Sequence, residues 1–577
     1  MPSQEELASF KALVKPLRAR MNYGALANLD SNCPLVKEAC LKAWVDYLIS
    51  PELYQKHLPK TTARDVPVAR TTPARAQQLI EAGILEPCPH DEVEGFIIVF
   101  EVLELFKQRY RIIQETRLAN KHMPDAGDVS FTALMQRRQL VHKGDFAVER
   151  DFMSYYHQFT FSEAVRRFNC VRVRHEDGST HLYRLCVGPT GQKHMVYVAC
   201  MTTDLLLAFD KMSAALDTQI DNILFVGDVA SLKSDLTTFR ARCAQADVTI
   251  NDDTDDLDSI IQSELTWCGM VLNFEHKTVR LAEKSRIKFQ ASLDGIEDWS
   301  WSGFAAHMGL LWWSFQVLRM PVCNFYNLLR FTSSVSQKMQ AADDKHWHHK
   351  AKIDPSALKD LLAWTTIALA NEPVAVPARK APEVFVLVDA SSHGWGYVAY
   401  DTITGKVYQY GEKWDPAFAA RSGSRLGKST YTEPWGLLNT KEHLIKAIER
   451  DSPSFFFGSD NAPTVYVFQK RFSSRSYDMN DAVAHDEKHF SKYQCDYVHV
   501  EGKKNVLADA KSRGLSLNDS AFFGDSDIVE SLRRLLGVLP AESSRVMTTG
   551  VGKGETDVFP HHLQNNERNT SSGVENE

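Results

Sequence analysis

Three short apolar runs in this chain end on an aspartate, and a fourth begins just after one. FAVERD closes on Asp151, VFVLVD on Asp389 and FFFGSD on Asp460, while ILFVG follows Asp221 in QIDNILFVGD. Runs of roughly five residues rich in Val, Ile and Phe read as buried strands. A carboxylate at the end of such a strand sits at the rim of a sheet. One such acid is an ordinary turn former; several together supply the hard oxygen donors that divalent cations require. The chain is therefore expected to build α/β sheets with acid-bearing rims. At 577 residues it is too long for one core, and three to five domains are expected.

The pattern along the chain divides it. Residues 1–75 read as a helical N-terminal extension, with Ser3 and Glu6 as a capping box, followed by a basic, Pro- and Thr-rich connector, HLPKTTARDVPVARTTPAR. Strand and helix signals alternate over 76–285. Residues 286–380 are helical and Trp-rich and end in the linker EPVAVPARKAPE. A second α/β stretch spans 381–516. Residues 517–577 are a C-terminal extension expected to be largely disordered; its last 27 residues hold two Lys/Arg against five Asp/Glu. The ten cysteines form no CxxC pair and no zinc-spaced cluster. No signal-peptide core and no apolar run of membrane-spanning length is found. These features fit an intracellular protein, nuclear or cytoplasmic, with no membrane partner.

In the second α/β stretch the acids recur in four contexts. Asp389 ends VFVLVD and leads into ASSHGWGYVAY. Glu433 opens the helical TEPWGLLNTKEHLIKAI. Asp460 ends FFFGSD, and Asp509 lies in EGKKNVLADAKSRG. Phosphodiester hydrolysis needs charge compensation at both the attacking and the leaving oxygen, which two divalent ions about 4 Å apart provide. Together, D-A-S-x-x-G-W-G, the helical Glu, S-D-N and G-K-x-N-V-x-A-D-A-x-S-R resemble the ribonuclease H domain of retroelements. The last motif, with Asn505, Ala508, Asp509, Ser512 and Arg513, is the most specific. The resemblance implies that Asp389, Glu433, Asp460 and Asp509 hold two Mg²⁺, and it gives His499 no catalytic role.

Upstream, LIEAGILEPC and QRYRIIQETRLAN resemble the fingers of retroelement reverse transcriptases, with Arg109, Arg111, Arg117 and Asn120 at matching spacings and Glu115 in place of Asp. FAVERDFMSYYHQF is similar to their D-L-K-S-x-Y-H-Q stretch. By that likeness Asp151 is a metal ligand, Phe152 lines the nucleotide site, and Tyr156 excludes the 2′-OH of the incoming nucleotide. YRLCVGPTGQKHM resembles the L-P-x-G turn under the templating pair, through Pro189, Gly191 and Gln192, although His194-Met195 replaces the usual A-P. The central [YF]-x-D-D motif, followed by an apolar strand, aligns with QIDNILFVG. That puts Asp221 at the first acid and Asn222 at the second. The other register uses Gly227 and Asp228 and loses the first acid. TWCGMVLNF resembles the primer-gripping hairpin, at Trp267, Cys268 and Gly269.

The resemblance implies a right-hand polymerase (fingers, palm, thumb and connection) followed by a ribonuclease H-like α/β domain with a mixed sheet. The implied ligand set is Asp151, Asp221 and Asn222 in the first site and Asp389, Glu433, Asp460 and Asp509 in the second. Each site would take two Mg²⁺, with Mn²⁺ as a substitute. The implied partners are an RNA template, an RNA/DNA hybrid and deoxynucleoside triphosphates, with Arg109 and Arg111 on the triphosphate. The pattern is most like DIRS-like and VIPER-like elements, which implies a separately encoded tyrosine recombinase. Asn222 keeps two alternatives open: a degenerate, host-retained copy acting as a nucleic-acid-binding or scaffold protein, and a chain in which only the ribonuclease H is active.

Overall fold

The computed structural model describes residues 20–104, 109–251, 254–341, 346–514 and 525–536. The capping box at Ser3 and Glu6 and the polar tail beyond 540 lie outside them. The fold is mixed α/β, and its contacts divide it into two units. The first comprises 1–381 with 466–494; the second comprises 382–465 with 495–577. Residues 466–494, within the stretch read above as one α/β domain, thus belong to the first unit.

The first unit centres on the apolar run that follows Asp221. NILFVG forms the strand Asn222–Gly227, between Phe146–Asp151 and Ala215–Gln219, antiparallel to both. Ile223 to Gly227 are all buried, as a run without polar alternation demands. Helices Lys193–Leu207 and Val229–Gln245 supply Leu205, Leu206, Leu232, Leu236 and Phe239, which pack with Phe152, Tyr155, Phe159 and Phe225 into one core. A second sheet joins Leu85–Pro87, Thr180–Leu185 and Cys170–Arg174, beside the hairpin Ile98–Glu104/Arg109–Glu115. The basic connector is pinned to these strands, since Val68 bridges to Arg172 and Arg70 to Phe100. The Trp-rich region folds as helices Trp301–Leu318, Tyr326–Ala341 and Pro355–Ala370. There Trp364 is fully buried and stacks on Phe325 at 5.3 Å between ring centroids.

The second unit is a five-stranded mixed sheet ordered Val407–Lys413, Gly394–Asp401, Val384–Ala390, Phe455–Ser459, Cys495–His499. The first three strands are antiparallel neighbours; the last two run parallel to Val384–Ala390. Inside the extension expected to be largely disordered, Asp525–Leu536 is a helix. Its Ile528, Leu532 and Leu536 are buried with Leu387, Val398 and Leu507. An i, i+4, i+8 apolar stripe is enough to seat a helix on a sheet, and the sequence reading passed over this one. Among the described residues no helix is long and apolar enough to cross a membrane.

Candidate active sites

The parallel pairing of Val384–Ala390 with Phe455–Ser459 sets Val388 beside Ser459. The residues that follow, Asp389 and Asp460, therefore emerge side by side at the same end of the sheet. Glu433 reaches that rim from the helix Ser429–Ala447, which lies close because Gly436 has no side chain: a Cβ there would stand 2.5 Å from that of Ala390. Ligand oxygens of Asp389, Glu433 and Asp460 all lie within 4.8 Å of one another. Three of the four expected carboxylates thus converge.

Asp389 and Glu433 are 6% and 7% exposed, and this sets the electrostatics. Burial pushes the Asp389 carboxyl up to about 6, with the charges of Asp460 and Asp509 adding to it and the Ser512 hydroxyl opposing. Burial, then the charges of Asp389 and Asp460, pushes Glu433 up to about 9. Asp460 is raised as well, first by burial. Like charges held out of water are costly without a cation among them. Glu433 Oε2 is buried without a hydrogen-bond partner, so one acceptor atom is left unsatisfied within the cluster. Hard oxygens, crowding and an orphaned acceptor all fit a divalent ion.

Neighbouring residues hold the triad in place. Ser512 donates its hydroxyl to Asp389 Oδ2 at 2.5 Å, and His499 Nε2 donates to the Asp460 carbonyl at 3.1 Å. Asn505, fully buried, donates to the Val388 carbonyl at 3.1 Å. Asp509, on the helix Val506–Ser512, is paired instead with Arg513 at 2.7 Å, and its charge acts on the three acids.

In the first unit, Asp221 lies in the two-residue turn between Ala215–Gln219 and Asn222–Gly227. The residue paired directly with Asp151 across the strands is Asn222. Asn222 Nδ2 donates to Asp221 Oδ1 at 3.0 Å, and the Phe152 amide donates to the Asp221 carbonyl at 3.1 Å. The other half of the turn, Ile220, is left-handed at φ 61°, a conformation that costs a β-branched residue about 1–3 kcal/mol. Thr203 holds it by donating to the Ile220 carbonyl at 2.9 Å. Asp228, the acid of the other register, caps the helix Val229–Gln245 by accepting from the Ser231 amide at 2.9 Å.

Burial raises the Asp221 carboxyl, while Asn222 and the charge of Arg111 pull it back. The Tyr156 hydroxyl is raised by burial and then by the charge of Asp221, so its ring stands in the same neighbourhood. Arg111 is exposed on the strand Arg109–Glu115, opposite Val102. Arg109 opens that strand, and its side chain lies outside the described residues. Gly191 ties the turn after Pro189 to the same strand: its amide donates to the Gln114 carbonyl at 3.1 Å, which a Cβ there would overlap. Asn120 completes the link, donating to the Gly191 carbonyl at 2.9 Å and accepting from the Lys193 amide at 3.0 Å.

Three residues expected to touch substrate are core instead. Phe152 is 2% exposed and stacks on Tyr155 at 4.4 Å, leaving only its backbone at the site. Gln192 is 1% exposed and donates to the Tyr54 hydroxyl at 3.1 Å. Trp267 is 1% exposed and donates to Asp217 Oδ2 at 2.6 Å, where Arg137 also binds at 2.8 Å. Of the expected primer-gripping residues, Cys268 and Gly269 form the half-exposed turn between Glu264–Trp267 and Met270–Asn273.

No protein-family profile and no curated protein matches the chain. Among solved structures it is similar, at 13% identity and a TM-score of 0.43, to the foamy viral protease-reverse transcriptase dRH in complex with double-stranded DNA, over 86% of this chain and 85% of that one. A second similar structure is the foamy viral protease-reverse transcriptase in complex with double-stranded DNA, at 13% identity and a TM-score of 0.42, over 87% and 98%. The third is that protein in complex with an RNA/DNA hybrid, at 13% identity and a TM-score of 0.40, over 82% and 62%.

Proposed function

We propose that the chain is a retroelement reverse transcriptase with ribonuclease H activity. It would carry out RNA-directed DNA synthesis in the first unit and cleave RNA in RNA/DNA hybrids in the second. The observation that carries the reading is the convergence of Asp389, Glu433 and Asp460, from two strand ends and a helix, within 4.8 Å. Bound divalent ions supply charge compensation at the attacking and leaving oxygens. Glu433, held protonated by burial and by its two acidic neighbours, would give up its proton as that compensation arrives. Ser512 fixes the rotamer of Asp389, and His499 fixes the backbone of Asp460. In the first unit Asp151 and Asp221 offer carboxylates and Asn222 its amide oxygen. Arg111 would meet the triphosphate, and the Tyr156 ring would bound the sugar. The work of these residues is positioning and charge neutralisation. The tyrosine-recombinase subgroup, with its separately encoded recombinase, belongs to this proposal.

One observation favours a second reading, in which only the ribonuclease H is active. The residue facing Asp151 is an amide, and its nitrogen is engaged by Asp221. Mg²⁺-dependent primer extension on RNA and cleavage of a hybrid, with wild type, Asp221→Asn and Asp460→Asn, separate the two. Failure of wild type to extend any primer removes the polymerase half. Hybrid cleavage that survives Asp460→Asn removes the other half.

A further inference from the structure

Arg138 closes the short helix Leu134–Arg138 of the first unit and is 3% exposed. Its Nε is buried without a hydrogen-bond partner, and no carboxylate among the described residues pairs with it. Arg319 caps the helix Trp301–Leu318 in a left-handed conformation (φ 54°, ψ 35°). Its Nη1 donates to Met135 Sδ at 3.5 Å, on the same short helix as Arg138. A thioether is a weak acceptor and brings no negative charge. The third member is Arg471, left-handed at φ 65° and paired with Glu487, whose side chain is 11% exposed. The next residue, Phe472, packs on Trp312 at 5.1 Å and Phe315 at 6.3 Å, which brings the backbone at 471 close to the helix that Arg319 caps. Burial, then the charges of Arg471 and Arg138, lowers Arg319, with the Glu487 carboxylate opposing; burial, then Arg471, lowers Arg138.

An arginine does not escape burial by losing its proton. An uncompensated buried guanidinium is costly, and a second and third beside it add repulsion. Glu487 offsets one of the three positive charges, and the excess that remains favours an anion. Guanidinium forks are matched by an oxyanion with several acceptor oxygens. We propose that Arg138, Arg319 and Arg471 form a binding site for a compact, free oxyanion of the phosphate class. A phosphodiester carried on a polymer has sugars on both sides and does not reach a side chain as enclosed as Arg138. The opening lies at Arg471, whose side chain is 27% exposed. The site does not depend on the proposed enzymatic activities.

The test is thermal unfolding of the full chain in inorganic phosphate, in pyrophosphate and in chloride at matched ionic strength, together with calorimetric titration of phosphate. The melting temperature is expected to keep rising with the logarithm of phosphate concentration above the dissociation constant, as for a ligand that binds only the folded state. Arg319→Met should weaken phosphate binding at least tenfold. Arg138→Met should abolish the phosphate dependence and raise the melting temperature in chloride, because it removes the unpaired charge. If Arg138→Met does not fold, the Arg319→Met titration decides. A wild type indifferent to phosphate, or an Arg319→Met isotherm equal to the wild type, overturns the proposal. A shift caused by a single-stranded oligodeoxynucleotide and not by phosphate also overturns it, assigning the arginines to a polymer backbone.

Discussion

Asn222 donates its side-chain amide to Asp221 Oδ1 at 3.0 Å. The position that would otherwise repel Asp221 in the absence of a cation instead holds it. Asn222→Asp replaces this donor with a like charge. It is expected to lower the melting temperature in EDTA and to raise Mg²⁺-dependent primer extension several-fold, while Asp221→Asn abolishes extension. An Asn222→Asp variant that loses extension would show that the amide itself is required.

The triad makes the metal-free protein sensitive to alkali. Burial and the neighbouring charges push Glu433 up to about 9 in the folded state, against ~4.3 for an ordinary glutamate when unfolded. A folded pKa above the unfolded one contributes stability that is full below the unfolded value and lost as pH rises through the folded value. In EDTA the melting temperature should therefore fall from about pH 5 to about pH 9. Glu433→Gln should flatten that slope, and Mg²⁺ should bind with release of protons, seen as a buffer-dependent heat in calorimetry. A pH-independent melting temperature in EDTA would count against the crowding described here.

Gly436 lets the Glu433 helix approach Ala390, and a Cβ there would stand 2.5 Å from the Ala390 Cβ. Gly436→Ala is expected to cost about 1–3 kcal/mol by overpacking and to move Glu433 off the triad. Hybrid cleavage and Mg²⁺ affinity should fall together while primer extension is untouched. Loss of both activities in a folded variant would contradict this.

Tyr156 lies within the electrostatic reach of Asp221 and Arg111. Tyr156→Ala is expected to relax the preference for deoxynucleotides at least tenfold, read as the ratio of kcat/KM for dNTP and rNTP. Unchanged discrimination would remove Tyr156 from the sugar site.

The sheets and the acids at their rims were legible in the sequence because an apolar run with a terminal aspartate has few places to go. VFVLVD and FFFGSD had to be buried strands, and their parallel neighbours bring Asp389 and Asp460 together. The turn and strand of QIDNILFVGD were also readable, while Asp228 is a helix cap. What the chain did not disclose was which side of a motif faces inward. Phe152, Gln192 and Trp267 sit beside candidate site residues but turn into the core, through Tyr155, Tyr54 and Asp217, partners up to about 140 residues away in the chain. The helix Asp525–Leu536 was missed because its apolar stripe is brief and set among charges.

The left-handed Ile220 has a kinetic consequence. Its turn is clasped from outside by two bonds, Thr203 to the Ile220 carbonyl and the Phe152 amide to the Asp221 carbonyl. A strained turn clasped from two sides opens wherever either clasp slackens. Hydrogen exchange at the Phe152 amide is therefore expected to report the opening of this turn, and a cavity cut in the helix bearing Thr203 is expected to speed it.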